Sequence, residues 1–224
     1  MPFLNIDAGE LPDEPDELYR LAHVLNIACG GHAGDDASMR RVTLACRELG
    51  AEAGAHPSYP DRDGFGRRAL VLPAPQIERA VAGQCSALRG AAEVAGIPVR
   101  FVKPHGALYH DANRNAPLAD AVVGAAIATL GRGFTLIGPA RGELASAAAR
   151  HGVGFAREGF ADRGVHPDGS LIPRSEPGAL VTDPEAARAR AAELAASGTC
   201  DTICVHGDTP NAVAIARAVR AVLG

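Results

Sequence analysis

Short apolar runs recur along the chain, and most are separated by stretches whose apolar residues fall at steps of three and four. The runs near Phe3–Asp7, Val24–Ala28, Ala51–Ala55, Val99–Lys103, Phe134–Ile137, Val153–Arg157 and Thr202–His206 have the length and composition of strands. Between them, Met39, Val42, Cys46 and Leu49 mark one helical face, and Ile77, Val81, Cys85, Leu88 and Ala92 mark another. In the last predicted helix Ala212, Ile215, Val219 and Val222 face inward, with Thr209 placed to cap it and Pro210 at its first position.

Strands alternating with helices predict a parallel sheet covered by helices, either closed into a barrel or open and doubly wound. The polar positions favour closure. Asp7 ends the first strand, His56 follows the third, Lys103 and His105 the fourth, Glu158 and Asp162 the sixth, and His206 and Asp208 the seventh. A closed parallel barrel brings all such ends to one rim, whereas an open sheet spreads them along a line. The expected fold is therefore an α/β, seven-stranded parallel (β/α) barrel.

Length and composition narrow the setting. The 224 residues contain no Ser- or Gly-rich linker, so one domain over residues 1–224 is expected. A chain of this size buries roughly 70–75% of its unfolded surface and needs neither disulfide nor structural metal. A formal charge of -4 argues against nucleic acid or an anionic membrane as partner. Five cysteines, with no zinc-site pairing, suit a reducing compartment, and Cys46 and Cys85 read as buried packing. No basic leader or apolar run of about 20 residues is seen, so the expected location is the cytoplasm.

Four clusters carry chemistry: NIACGGHAGD at Asn26–Asp35, GAHPSYPDRDGFGRR at Gly54–Arg68, KPHGALY at Lys103–Tyr109 and HGD at His206–Asp208. His32, His56, His105 and His206 each follow a predicted strand with Gly or Pro alongside, which lets a loop turn sharply and aim an imidazole. His23, His110, His151 and His166 lack that context and read as surface or loop residues. Asn5, Asp7 and Glu10 place three polar groups on or after a buried strand, a cost of several kcal/mol unless partners or a ligand satisfy them. Each histidine has an alternative structural role, hydrogen-bonding a loop carbonyl, and Asp7 could cap a loop.

Lys103 is the only lysine. At a strand end it must find an anion or lose its proton, so it reads as a base, as a carboxylate holder or as half of a buried ion pair. Arg67 and Arg68 either bind an anion or face water, and Glu158, Asp162, Arg163, Asp168 and Arg174 form either a site loop or a solvated one. No Walker phosphate loop, nucleophile elbow or H-E-x-x-H run occurs.

The ordered set N-x-D-x-G-E at Asn5–Glu10, NIACGGHAGD, GAHPSYPDRDGFGRR, VKPHGALY, EGFADR at Glu158–Arg163, DGSLIPR at Asp168–Arg174 and CVHGD resembles the LamB/YcsF family from Asn5 to the last helix. The resemblance implies a barrel of the glycoside hydrolase/deacetylase type. It also implies ATP-dependent cleavage of 5-oxoproline to glutamate, with Mg accompanying ATP, carried out with the B and C subunits of a 5-oxoprolinase. Matched motif by motif, it puts Asp7, His32, His56, Lys103, His105, Asp162, Arg163, His206 and Asp208 at the catalytic site. Asn5, Glu10, Asn26, Tyr109, Glu158 and Arg67 are then expected around the substrate. The chain departs from the family pattern at Ile6, Ala8, Gly31, Gly164 and Val165, and loss of the usual aromatics there predicts a widened or reshaped pocket.

Two other readings stay open. One is a stand-alone metal-dependent deacetylase or amidohydrolase with Asp7, His56 and His105 as ligands, since one carboxylate and two imidazoles leave open positions for water. The other is a non-catalytic subunit that holds substrate for partner chains. Self-association into a homo-oligomer is compatible with all three.

Overall fold

Seven parallel strands close into a barrel in chain order: β1 (Phe3–Ala8), β2 (Val24–Ala28), β3 (Glu52–His56), β4 (Val99–Val102), β5 (Thr135–Pro139), β6 (Gly154–Phe160) and β7 (Thr202–His206). β1 pairs with both β2 and β7. The structure is a computed structural model and describes residues 1–166 and 170–224, so Asp168 lies outside the described residues. Around the barrel run α1 (Asp16–Leu21), α2 (Asp36–Leu49), α3 (Ala74–Ala95), α4 (Gly106–Arg114), α5 (Ala116–Leu130), α6 (Glu143–His151), α7 (Pro184–Ser197) and α8 (Ala212–Leu223). No helix among the described residues is long and apolar enough to cross a membrane.

Alternation along the strands divides two environments. Leu4 and Ile6 on β1, Leu25 and Ile27 on β2 and Ile203 and Val205 on β7 join the apolar cluster packed with the helices. Val42, Cys46, Val81, Cys85, Leu88, Ile215 and Val219 supply the helical side of that cluster, as their spacing predicts. The intervening positions carry polar groups instead. Asn5 donates to Thr202 Oγ1 at 2.8 Å, and Asn26 donates to Asn5 Oδ1 and Asp7 Oδ1 at 2.8 and 2.9 Å. Register puts Asp7 beside both Asn26 and His206, Asn26 beside Gly54, and Ala28 beside His56. A side chain at Gly54 would crowd Asn26 Oδ1 and Phe101 Cβ, so glycine makes room here. The barrel interior thus carries a hydrogen-bonded polar column below the rim, in which Asn26 Oδ1 is left without a hydrogen-bond partner among the described residues.

One helix boundary differs from the pattern. α8 starts at Ala212, after Asn211 in a left-handed conformation (φ 65°), and Thr209 does not cap it. The Thr209 hydroxyl donates instead to Asp162 Oδ2 at 2.7 Å, because a buried carboxylate competes better for it than a helix end.

Candidate active site

The loops after the strands meet at one end of the barrel around a cavity of about 680 Å³. Asp7, His56, Lys103, His105, Tyr109, Phe160 and His206 line it, together with Arg67, Arg114, Arg163, Arg174, His110 and His166.

Lys103 reaches across from β4 to β1, placing Nζ 2.8 Å from Asp7 Oδ1, 2.9 Å from Glu158 Oε1, 3.2 Å from Asn5 Oδ1 and 3.0 Å from Cys204 Sγ. Burial alone lowers the proton affinity of the amine, but Asp7, Cys204 and Glu158 outweigh it and hold its pKa well above the usual lysine value. Lys103 is therefore a fixed cation, which removes the neutral-base reading. Burial pushes the Asp7 carboxyl up, whereas His56, Lys103 and His206 pull it well below the ordinary range, so Asp7 is ionised. Its Oδ1 is taken by Lys103 and Asn26; its Oδ2 lies 3.3 Å from His56 Nε2 and 3.8 Å from His206 Nε2.

Behind His206 stands Asp162, fully buried, accepting from the His206 backbone N–H at 2.9 Å and from Nδ1 at 3.0 Å. Burial lowers the His206 pKa, and the charge and hydrogen bond of Asp162 more than reverse the effect.

A second group lies beside the first. His32 Nε2, His105 Nδ1 and His56 Nε2 lie 2.8, 3.2 and 3.7 Å from one oxygen, Glu10 Oε1. Loop chemistry holds it together: Glu14 accepts from the backbone N–H groups of Gly9, Glu10 and Leu11 and from Tyr19 Oη, fixing the segment that carries Glu10. Arg62 donates to the carbonyls of Gly30 and Gly34, tying the β2–α2 loop to the β3–α3 loop. Gly66 (φ 65°) passes close to His32 and His105, where a Cβ would come within 2.9 and 3.0 Å of them.

The family model LamB/YcsF matches residues 4–224. The chain belongs to the LamB/YcsF family. A Streptomyces coelicolor protein, named as the A subunit of 5-oxoprolinase, is 43% identical over 98% of this chain and 94% of its own. One of the same name from Chloroflexus aggregans is 44% identical, over 97% and 92%. The crystal structure of a lactam utilization protein from Thermus thermophilus superposes with a TM-score of 0.90 at 35% identity, covering 99% of this chain and 95% of the other.

Within this LamB/YcsF barrel the residues singled out from sequence take unequal places. Asp7, His56, Lys103, His105, Tyr109, Arg67, Arg163 and His206 line the cavity, whereas Asn5, Asn26, Glu158, Asp162, Glu10, His32 and Asp208 brace those that do. Arg163 commits Nε and Nη2 to the carbonyls of Ala179 and Ile172, holding the loop after β6 rather than presenting those donors to a ligand. Asp208 is clamped between Arg67 and Arg174, the latter bidentate at 3.0 and 3.1 Å. The grouping of potential metal ligands also differs from expectation: Glu10, His32, His56 and His105 form one set, and Asp7 falls with Cys204 and His206 in another. Sequence reasoning placed His110 and His166 outside any site, yet both line the cavity. His110 follows the motif residue Tyr109 in α4, the one signal that could have found it.

At Gly31, one of the positions where a widened or reshaped pocket is expected, and at Gly164 beside Val165, neighbouring groups stand close to the backbone. A Cβ on Gly31 would fall 2.3 Å from Gln84 Oε1 and 2.4 Å from Ser58 Oγ, and one on Gly164 would fall 2.0 Å from the Gly178 carbonyl. Gln84 and Ser58 thus fill the space beside Gly31, and the Gly178 carbonyl that beside Gly164.

Proposed function

We propose that this chain provides the site at which the lactam ring of 5-oxoproline is opened to glutamate, in a reaction that converts ATP to ADP and phosphate together with the B and C subunits of the enzyme. One observation carries the reading: residues from motifs scattered along the whole chain surround or brace a single polar cavity, in a protein whose relatives are named as the A subunit of 5-oxoprolinase over nearly their full length. Five unpaired cysteines suit a cytoplasmic setting.

An unstrained amide resists water, so ring opening needs an activated carbonyl, a base for the water and an acid for the leaving amine. ATP, with its Mg, serves the first need by phosphorylating the carbonyl oxygen; with no Walker loop in the sequence, the nucleotide is held either by other means on this chain or by a partner chain. Asp7 suits the base: Lys103 and Asn26 hold it ionised by one oxygen, and the other lies between His56 Nε2 at 3.3 Å and His206 Nε2 at 3.8 Å. His206 suits the acid, since Asp162 fixes its Nδ1 proton and raises its pKa, leaving Nε2 to hand a proton to the departing nitrogen; breaking the C–N bond gives the γ-glutamyl phosphate, and a second water then cleaves that acyl phosphate to glutamate and phosphate. Arg67 and Arg174 line the cavity and, through the donors that their pairing with Asp208 leaves over, suit the substrate carboxylate or the phosphoryl group.

The test is reconstitution. The chain is mixed with the B and C subunits, 5-oxoproline and Mg-ATP, and glutamate and ADP are followed together. Both products should form only in the complete mixture. Lactam opening by the isolated chain without ATP would support the stand-alone metal-dependent amidohydrolase instead, and full turnover by the B and C subunits without this chain would overturn the assignment.

A further inference from the structure

The imidazoles of His56 and His105 each hold their outer nitrogen on a backbone carbonyl and turn the other nitrogen inward, toward one another and toward Glu10. His56 Nδ1 lies 2.7 Å from the Lys103 carbonyl, and His105 Nε2 lies 2.9 Å from the Phe65 carbonyl. A carbonyl only accepts, so each of those nitrogens carries the proton. The nitrogens left over, His56 Nε2 and His105 Nδ1, are 3.0 Å apart and both face the Glu10 carboxylate, with Asp7 Oδ2 a further 3.3 Å from His56 Nε2; in the neutral rings these two nitrogens carry the lone pairs that a metal ion takes. Phe65, one of two non-glycine residues with positive φ (53°) among those described, holds the carbonyl that sets the His105 tautomer. Backbone carbonyls that fix the outer nitrogen of a histidine are a recurring support of metal ligands.

The three inward atoms form a triangle with edges of 3.0, 3.2 and 3.7 Å. A circle through them has a radius of about 1.9 Å, so a point just off their plane lies about 2.1 Å from all three, the bond length of zinc to imidazole nitrogen and carboxylate oxygen. We propose that His56 Nε2, His105 Nδ1 and Glu10 Oε1 bind one divalent transition metal ion of the zinc type. His32 acts on Glu10 from behind: its Nε2 donates to the same oxygen at 2.8 Å, and its buried Nδ1 has no partner among the described residues. His32 is thus a positioning residue. The neighbouring set of Asp7, Cys204 and His206 is not a second such site, because the Lys103 ammonium already contacts both Asp7 and Cys204. His56 and His105 line the cavity, which gives the ion a face toward it. Mixed nitrogen and oxygen donors favour zinc, cobalt, nickel or iron over magnesium or calcium. This inference stands whether or not the substrate is a lactam.

The test is a Co(II) titration of tag-free, chelator-stripped chain, read by visible d–d absorption and checked by zinc content after reloading. Saturation at one equivalent is expected. His105→Ala and the isosteric Glu10→Gln should each weaken binding at least 100-fold, His32→Gln by about 10- to 100-fold, and His110→Gln, in the same cavity, should leave it unchanged. Far-UV circular dichroism establishes that each variant is folded. Absence of saturable binding to the wild type, or one-equivalent binding that survives both His105→Ala and folded Glu10→Gln, overturns the site.

Discussion

Asp162 grips His206 twice, accepting from its backbone N–H at 2.9 Å and from its ring Nδ1 at 3.0 Å. The two contacts fix the position and tautomer of the ring, and the aspartate's charge raises its proton affinity against the opposing effect of burial. Asp162→Asn keeps the shape and removes the charge. The reconstituted enzyme should lose about 10³- to 10⁴-fold in kcat with little change in KM, the scale seen when the aspartate behind a catalytic histidine becomes an amide. A general acid is active while protonated, so activity falls as pH rises through the His206 pKa; without Asp162 that pKa drops and the alkaline limb moves to lower pH. A pH profile of kcat for the two proteins checks both the size and the direction.

Lys103 pairs with two buried carboxylates, Asp7 and Glu158. Lys103→Met should therefore cost about 3–5 kcal/mol of stability, because it strands both charges in a low-dielectric interior. Adding Glu158→Gln should restore part of that loss, as one of the stranded charges is gone. Urea unfolding of the single and double variants measures the difference, and additive losses would contradict the coupling.

How much of this was readable from the chain depended on the kind of interaction. All seven strands were legible because an apolar run such as Val24–Ala28 has few alternatives, and the polar residues ending them marked the rim. The partnerships at that rim were not. Nothing in local pattern tells Glu10, on the β1 loop, that His32, His56 and His105 will converge on one of its oxygens, since that is a consequence of barrel closure. Thr209 read as a cap because its local context fits one, and the buried Asp162, 47 residues earlier, claimed it instead. Gly31 read as a missing aromatic, but Gln84, from the middle of α3, fills the space.

Gly106 opens α4 at a φ of 57°, and a Cβ there would fall 2.5 Å from the Gly66 carbonyl. Gly106→Ala should push apart the loops that carry His105 and Arg67. The expected cost is about 1–3 kcal/mol from the left-handed conformation alone, with a further loss of turnover. Thermal unfolding and reconstituted activity should fall together; a neutral variant would mean the loops are not held by this contact.

Arg174 and Arg67, both lining the cavity, share the Asp208 carboxylate. Arg174→Ala should raise KM for the anionic substrate about 10- to 100-fold, as expected for one charge-assisted hydrogen bond, while kcat changes little. Initial-rate kinetics separate the two, and a fall in kcat at constant KM would place Arg174 in the chemical step instead.

The central claim is that Asp7, ionised and held by Lys103 and Asn26, activates the water that opens the ring. Single-turnover glutamate release by the Asp7→Asn chain, reconstituted with the B and C subunits and saturating Mg-ATP, tests it most directly. A folded variant that releases glutamate about 10²- to 10⁴-fold more slowly is the predicted result; release at the wild-type rate would contradict the account.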